Sequence, residues 1–238
     1  MKIFKNCLCK NNSVASPKDI SAIIRRLKKI YEKFRPPIVT EISMRQDPFR
    51  VLISCILSLR TKDETTAKAS ARLFKVADAP KKLAKLGAGR IEKLIYPAGF
   101  YKTKAKRIKE IAKVLIDKYN SKVPDTFEEL LKLKGVGRKT ANIVMSLGHK
   151  SREALAVDIH VHVISNRLGL VKSKNPDETE MQLRKVLPKK YWPIYNDLLV
   201  IYGQHICTTA YPKCGSCVIV KYCIFPKKDL SRKIKNED

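Results

Sequence analysis

Cys207, Cys214, Cys217 and Cys223 stand close together near the end of the chain, spaced C-x6-C-x2-C-x5-C. Pro212 and Gly215 bend the backbone between them, so the thiolates are expected to form a closed tetrahedral ligand set. Bound metal would supply the folding free energy that a loop with almost no core of its own lacks. Zinc and a [4Fe-4S] cluster each accept four thiolates, and spacing alone leaves both open. Structural disulfides would need an oxidising compartment, to which nothing in the sequence points.

Residues 131–141, Leu-Lys-Leu-Lys-Gly-Val-Gly-Arg-Lys-Thr-Ala, are the second group with chemical potential. An amphipathic helix stops near Leu133, Gly135 and Gly137 frame Val136, and a new helix begins at once. Glycines permit a positive φ and close approach of another backbone. The first turn of the new helix has unpaired N–H groups and a partial positive charge. Such a hairpin can hold a phosphate through main-chain atoms without reading base sequence.

The elements that must position these residues are helical, because apolar residues recur with helical period and alternation is nearly absent. Expected helices cover 20–31, 49–59, 65–77, 91–96, 103–119, 178–186 and 191–205, with another running from Asp158 to about Gly169. Pro36-Pro37, Pro80 and Val123-Pro124 are read as breaks, and Thr126-Phe127-Glu128-Glu129 as a capping box. The fold class is all-α.

The chain has 238 residues, enough for one large core or two modest ones. Its 50 Lys and Arg against 22 Asp and Glu give a net charge of +28, which implies a polyanionic partner, most simply nucleic acid. The longest largely apolar run, 51–57, is far shorter than a bilayer span, so no membrane association is expected. Residues 1–13 lack the continuous apolar stretch of an export signal. An intracellular setting, cytoplasm or nucleoid, is therefore expected. Cys55 reads as a core thiol, and Cys7 and Cys9 receive no function.

Three stretches in this order, the hairpin at 131–141, Ala-Val-Asp-Ile-His at 156–160 and the cysteine loop, resemble the endonuclease III family over about residues 20–223. That family comprises helix-hairpin-helix DNA glycosylases with AP-lyase activity. The resemblance implies two domains: a helical barrel over 41–151 containing the hairpin, and a second domain over 152–223 on which residues 1–40 pack, followed by a charged tail at 224–238. It implies a structural [4Fe-4S] cluster on the four cysteines within 207–223, shaping a DNA-contacting loop that includes Lys213. Lys139 takes the nucleophile's place, and a helix N-terminus with partial burial would help its amine attack while neutral. Asp158 takes that of the essential aspartate and is also a natural N-cap. His160 is read as a structural part of the motif. His160 and His162, two residues apart, are poor partners for one metal.

The implied partner is double-stranded DNA with damaged bases or abasic sites, bound by a monomer. The implied chemistry is removal of a damaged, by family default oxidised, pyrimidine through a lysine Schiff base, with β-elimination cutting the strand 3′ to the lesion. Leu133, Gly135, Val136, Gly137 and Arg138 would contact the DNA backbone. Phe100 would act as an inserted wedge, Lys104 would lie in the basic stretch beside it, and Arg60 would stand in the opposing gap-filling segment. Family members usually carry Gln at the place of Arg60, Pro at Lys134 and Thr at Ile159. Mismatch glycosylases share the fold but generally lack the lysine, and a non-enzymatic DNA-binding module would hold zinc instead.

Overall fold

The structure, a computed structural model, describes residues 17–44 and 46–234. Among these residues regular structure is helical throughout: α1 (Pro17–Tyr31), α2 (Ile38–Ser43), α3 (Pro48–Ser58), α4 (Asp63–Val76), α5 (Pro80–Lys85), α6 (Ala88–Ile95), α7 (Tyr101–Tyr119), α8 (Phe127–Leu131), α9 (Arg138–Ile143), α10 (Ile159–Arg167), α11 (Pro176–Val186) and α12 (Trp192–His205). Cys7 and Cys9 lie outside the described residues.

Two prolines read as helix breaks stand at helix starts: Pro80 in the first turn of α5 and Pro37 as the N-cap of α2. Pro48 likewise occupies the first turn of α3. Proline has no N–H to contribute there, and its fixed φ suits a first turn. This is why the short helices α2 and α5 escape a periodicity reading. At α8, Thr126 accepts the Glu129 amide as expected of a capping box. The reciprocal bond is absent, because the Glu129 carboxylate takes the Tyr119 hydroxyl at 2.6 Å and an ion pair with Lys132 instead.

Apolar side chains gather into two cores. The first is built from α2 to α9 around α3, whose Phe49 and residues 51–57 are all buried, Cys55 among them. Burial pushes the Cys55 thiol up to about 12, so it is an inert core residue. The second combines α1 with α10, α11, α12 and Ile219 of the cysteine loop. The segment 224–234, read as a charged tail, folds back on that loop. Gly215 N–H donates to Arg232 O at 2.8 Å, Ile234 N–H to Ser216 Oγ at 2.9 Å, and Phe225 lies under the Arg167 guanidinium.

A charged lock crosses between the cores. Glu180 on α11 is 2% exposed, and its carboxylate receives Arg138 Nε and Nη2 at 3.1 and 3.0 Å from α9 and Arg184 Nε at 3.0 Å from its own helix. Arg184 also donates to Glu153 O, and Asn142 Oδ1 accepts the Leu155 amide at 3.1 Å. A carboxylate this deep is tolerated only with such pairing, and removing it would strand two guanidiniums. Glu180→Ala should therefore lower stability by about 2–4 kcal/mol, toward the lower end of a broken buried pair because both arginines keep some solvent. Denaturant melts of the two proteins measure this, and a loss below 1 kcal/mol would contradict the lock.

Candidate active site

The α8–turn–α9 hairpin forms as its residue types require. Leu133 and Val136 are buried and anchor the turn, and the Val136 amide closes on Leu133 O at 3.0 Å. Gly135 has φ +86°, a conformation that favours glycine, and a Cβ there would push the Arg107 side chain aside. Gly137 is extended (φ −98°, ψ 178°) with open space beside it. Only one of the two glycines thus needs the left-handed region, and the other leaves the hairpin surface clear. Leu133 and Val136 present no side chain outward, so any contact of theirs with DNA is through the main chain. Lys134 pairs with Glu110 of α7 at 3.5 Å and leaves the turn intact.

Lys139 occupies the second position of α9, and its half-exposed side chain brings Nζ to 3.5 Å from Asp158 Oδ2. Asp158 is the N-cap of α10: its Oδ1 accepts the Val161 amide at 2.9 Å. One oxygen thus holds the helix while the other faces the amine. The cap is unaffected by the exposed Ile159 that follows it. These two side chains, one from each core, line a cleft of about 140 Å³ together with Ser58, Asp63, His160, Asn196, Asp197 and Gln204. His160 packs against α12, where a Cβ on Gly203 would lie 2.3 Å from its Nδ1. His162 turns elsewhere, to Thr179 Oγ1 at 2.7 Å.

Two loops flank this region, and a buried lysine joins them. Lys104 is not placed for the DNA contact expected of it: its ammonium is turned inward to Leu57 O, Leu59 O and Thr61 Oγ1 at 2.6–2.8 Å. Burial draws it down to about 8. Thr61 Oγ1 also accepts the Gly99 amide at 3.1 Å, and Gly99 sits so close that a Cβ would lie 2.4 Å from Arg60 O. The clamp brings Arg60 and Phe100 together, with the guanidinium 5.5 Å from the ring centroid. Both residues have a positive φ, 51° and 56°, and Phe100 is 63% exposed. Arg138 is partly exposed, but its guanidinium is engaged by Glu180 and stacked on Phe127. Lys213 is partly buried, and its amide donates to Ile206 O at 2.9 Å.

Residues 53–189 match the HhH-GPD superfamily of base excision DNA repair proteins. An endonuclease III of Thermotoga maritima is 50% identical over 190 residues, covering 80% of this chain and 89% of that protein. This chain belongs to the endonuclease III family. A solved structure described as a trapped endonuclease III–DNA covalent intermediate superposes with a TM-score of 0.73 at 32% identity, over 86% of this chain and 95% of that one. A thermostable thymine-DNA glycosylase aligns with a TM-score of 0.77 over 87% of this chain and 96% of its own, at 24% identity, which shows the fold alone.

In this endonuclease III family chain the four cysteines lie on the loop after α12 with their sulfurs inside the fold. Arg167 Nη1 donates to Cys207 Sγ at 3.1 Å, Tyr202 OH to Cys217 Sγ at 3.2 Å and the Phe225 amide to Cys223 Sγ at 3.4 Å. Burial first, then the neighbouring sulfurs, raises the thiols of Cys207, Cys217 and Cys223. The expected closed ligand set is not seen: among the described residues no three or more His, Cys, Asp or Glu side chains are arranged to hold a metal.

Asp197, Glu180 and Arg184 were not among the residues singled out from sequence. The i,i+4 spacing of Glu180 and Arg184 is a legible pairing signal, whereas the tie to Arg138 exists only in three dimensions. Asp197 is a lone acid in the apolar run Leu198-Leu199-Val200-Ile201, and that isolation could have flagged it. Thr40 Oγ1 donates to its Oδ2 at 2.8 Å, and burial lifts its carboxyl from 3.8 to about 6. A carboxyl whose pKa rises on folding adds stability below its unfolded value, and that stability is lost as pH climbs through about 6. At neutral pH the ionised group therefore costs on the order of 2 kcal/mol. Asp197→Asn should raise stability by about that amount at pH 7.5 and change it little at pH 4. Thermal melts at the two pH values check this, and a stabilisation independent of pH would refute the burial argument.

Proposed function

We propose that this enzyme, a base excision repair DNA glycosylase and AP lyase, removes oxidised pyrimidines by covalent catalysis at Lys139. The observation that carries the reading is the 3.5 Å approach of Lys139 Nζ to Asp158 Oδ2 across the seam between the two cores. With the damaged nucleotide rotated out of the duplex into the cleft, Asp158 accepts a proton from the ammonium and frees its lone pair. The amine attacks C1′, the bond to the base breaks, and the base leaves with a proton; the C1′–O4′ bond then opens, a proton passing to O4′, to leave a Schiff base. The resulting Schiff base acidifies C2′–H, and loss of that proton expels the 3′ phosphate. Asp158 is fitted to this work because its other oxygen is fixed by the helix cap, so it turns little as charge moves.

The hairpin surface beside Gly137 and the first-turn amides of α9 would hold the DNA backbone, with main-chain atoms rather than the Arg138 side chain making the contact. Exposed Phe100 would enter the space that the everted nucleotide leaves, with Arg60 stacked on it at the orphaned base. The two cores would then act as the two domains between which DNA lies. Cys207, Cys214, Cys217 and Cys223 would hold a [4Fe-4S] cluster. Four soft thiolates with N–H and O–H donors on their sulfurs suit a cluster. The cluster would shape the loop and take no part in the sugar chemistry.

Borohydride reduction in the presence of DNA carrying an abasic site tests the covalent step. Lys139→Gln should abolish the trapped adduct while DNA affinity stays within about tenfold. Asp158→Asn, which keeps the cap, should fold normally and turn over at least tenfold more slowly. An adduct on the Lys139→Gln protein would move the nucleophile elsewhere. Cys214→Ser should remove the visible absorbance of the purified protein and weaken DNA binding together, and unchanged colour would show that Cys214 is not a ligand.

A further inference from the structure

The cleft contains a partly buried carboxylate that the covalent step leaves unused. Asp197 lies on α12 between buried Asn196 and Leu198 and lines the cleft. Three neighbouring polar groups are tied into the fold. Asp158 Oδ1 caps α10, Asp63 Oδ2 accepts the Ile38 amide at 3.3 Å, and Asn196 Nδ2 donates to Ala156 O at 3.3 Å. Asp197 differs. Thr40 holds its Oδ2, and among the described residues Oδ1 has no hydrogen-bond partner and the carboxylate no ion pair. An acceptor with one oxygen clamped and the other open, in a cleft that also holds the nucleophile, is arranged to receive a donor from a ligand.

We infer that Asp197 is a specificity-determining residue: its Oδ1 accepts a hydrogen bond from a ring N–H of the everted base. This rests on the cleft being the site of base removal. The carboxyl, lifted to about 6 by burial, is still ionised at neutral pH and so can only accept. Saturated or oxidised pyrimidines derived from uracil or thymine carry an imide N–H between two carbonyls, and that N–H is the matching donor. A base edge with the donor blocked would leave the desolvated carboxylate without a partner, and such mismatches discriminate strongly between substrates. The same argument explains why a group that costs stability occupies this wall.

The test compares three duplexes, containing 5,6-dihydrouracil, its N3-methyl derivative or an abasic site, with the full chain and with Asp197→Asn and Asp197→Ala. In the Asn variant Thr40 holds the amide oxygen, so an NH2 replaces the acceptor. Wild type should excise dihydrouracil at least tenfold more efficiently (kcat/KM) than the N3-methyl derivative. Both variants should reduce that ratio to within threefold of one. Their loss on dihydrouracil should exceed their loss on abasic DNA at least fivefold, since the abasic substrate has no base to read. An unchanged ratio in both variants, equal losses on dihydrouracil and abasic DNA, or no preference in wild type would each overturn the inference. Failure of wild type to form a borohydride-trapped adduct on abasic DNA would instead overturn the reading of the cleft itself.

Discussion

The Glu180 carboxylate, held by Arg138 of α9 and Arg184 of α11, is the interaction on which the site's geometry depends. Lys139 follows Arg138 directly, so the residue that anchors the helix start to the other core also sets the position of the proposed nucleophile. The same junction holds the chain leading to Asp158, through Asn142 to the Leu155 amide and Arg184 to Glu153 O. Two side chains that are carried by separate cores and meet in one cleft need such a tie, because a shift of an ångström between cores would alter a 3.5 Å approach. A buried ion pair contributes less to net stability than to a unique arrangement. Here that arrangement is the seam of the active site.

The +28 charge of the chain divides into two populations that composition cannot separate. Some cations build the protein. Lys104 ties two loops through three oxygens, Arg167 donates to Cys207 Sγ and to the carbonyls of Thr208 and Thr209, and Arg138 and Arg184 share one carboxylate. The others stay on the surface, where they provide the field that draws and holds a polyanion. The structural cations do so indirectly: by joining the Arg60 and Phe100 loops, Lys104 presents a cationic plane and an exposed ring side by side.

The cleft also shows a trade between stability and chemistry. Asp158 and Asp197 are both partly buried acids, each with one oxygen held by the protein, by an amide in one case and a hydroxyl in the other. Holding one oxygen fixes the direction of the second at little entropic cost. Asp158 has Lys139 at 3.5 Å, whereas among the described residues Asp197 has no ion pair, and burial lifts its carboxyl. The strained backbone at Arg60 and Phe100, both left-handed, lies on the flanking loops of the same face.

Much was legible in the sequence because it depends on local rules. Helical periodicity marked the long elements, and the turn at 133–137 and the cap at Asp158 followed from residue type alone. The order of three motifs pointed to the family. What sequence could not decide was the direction of side chains whose partners are distant in the chain. Arg138 and Lys104 read as DNA contacts because a basic residue beside a motif is indistinguishable from a structural one until its acceptors, Glu180 and the 57–61 loop, are in place. The short helices begun by prolines were missed because they carry too few turns to show a period. Sequence therefore determined which groups could react, and the packing of two cores decided which met. A 3.5 Å approach between residues nineteen positions apart is set by the seam they share, not by the chain between them.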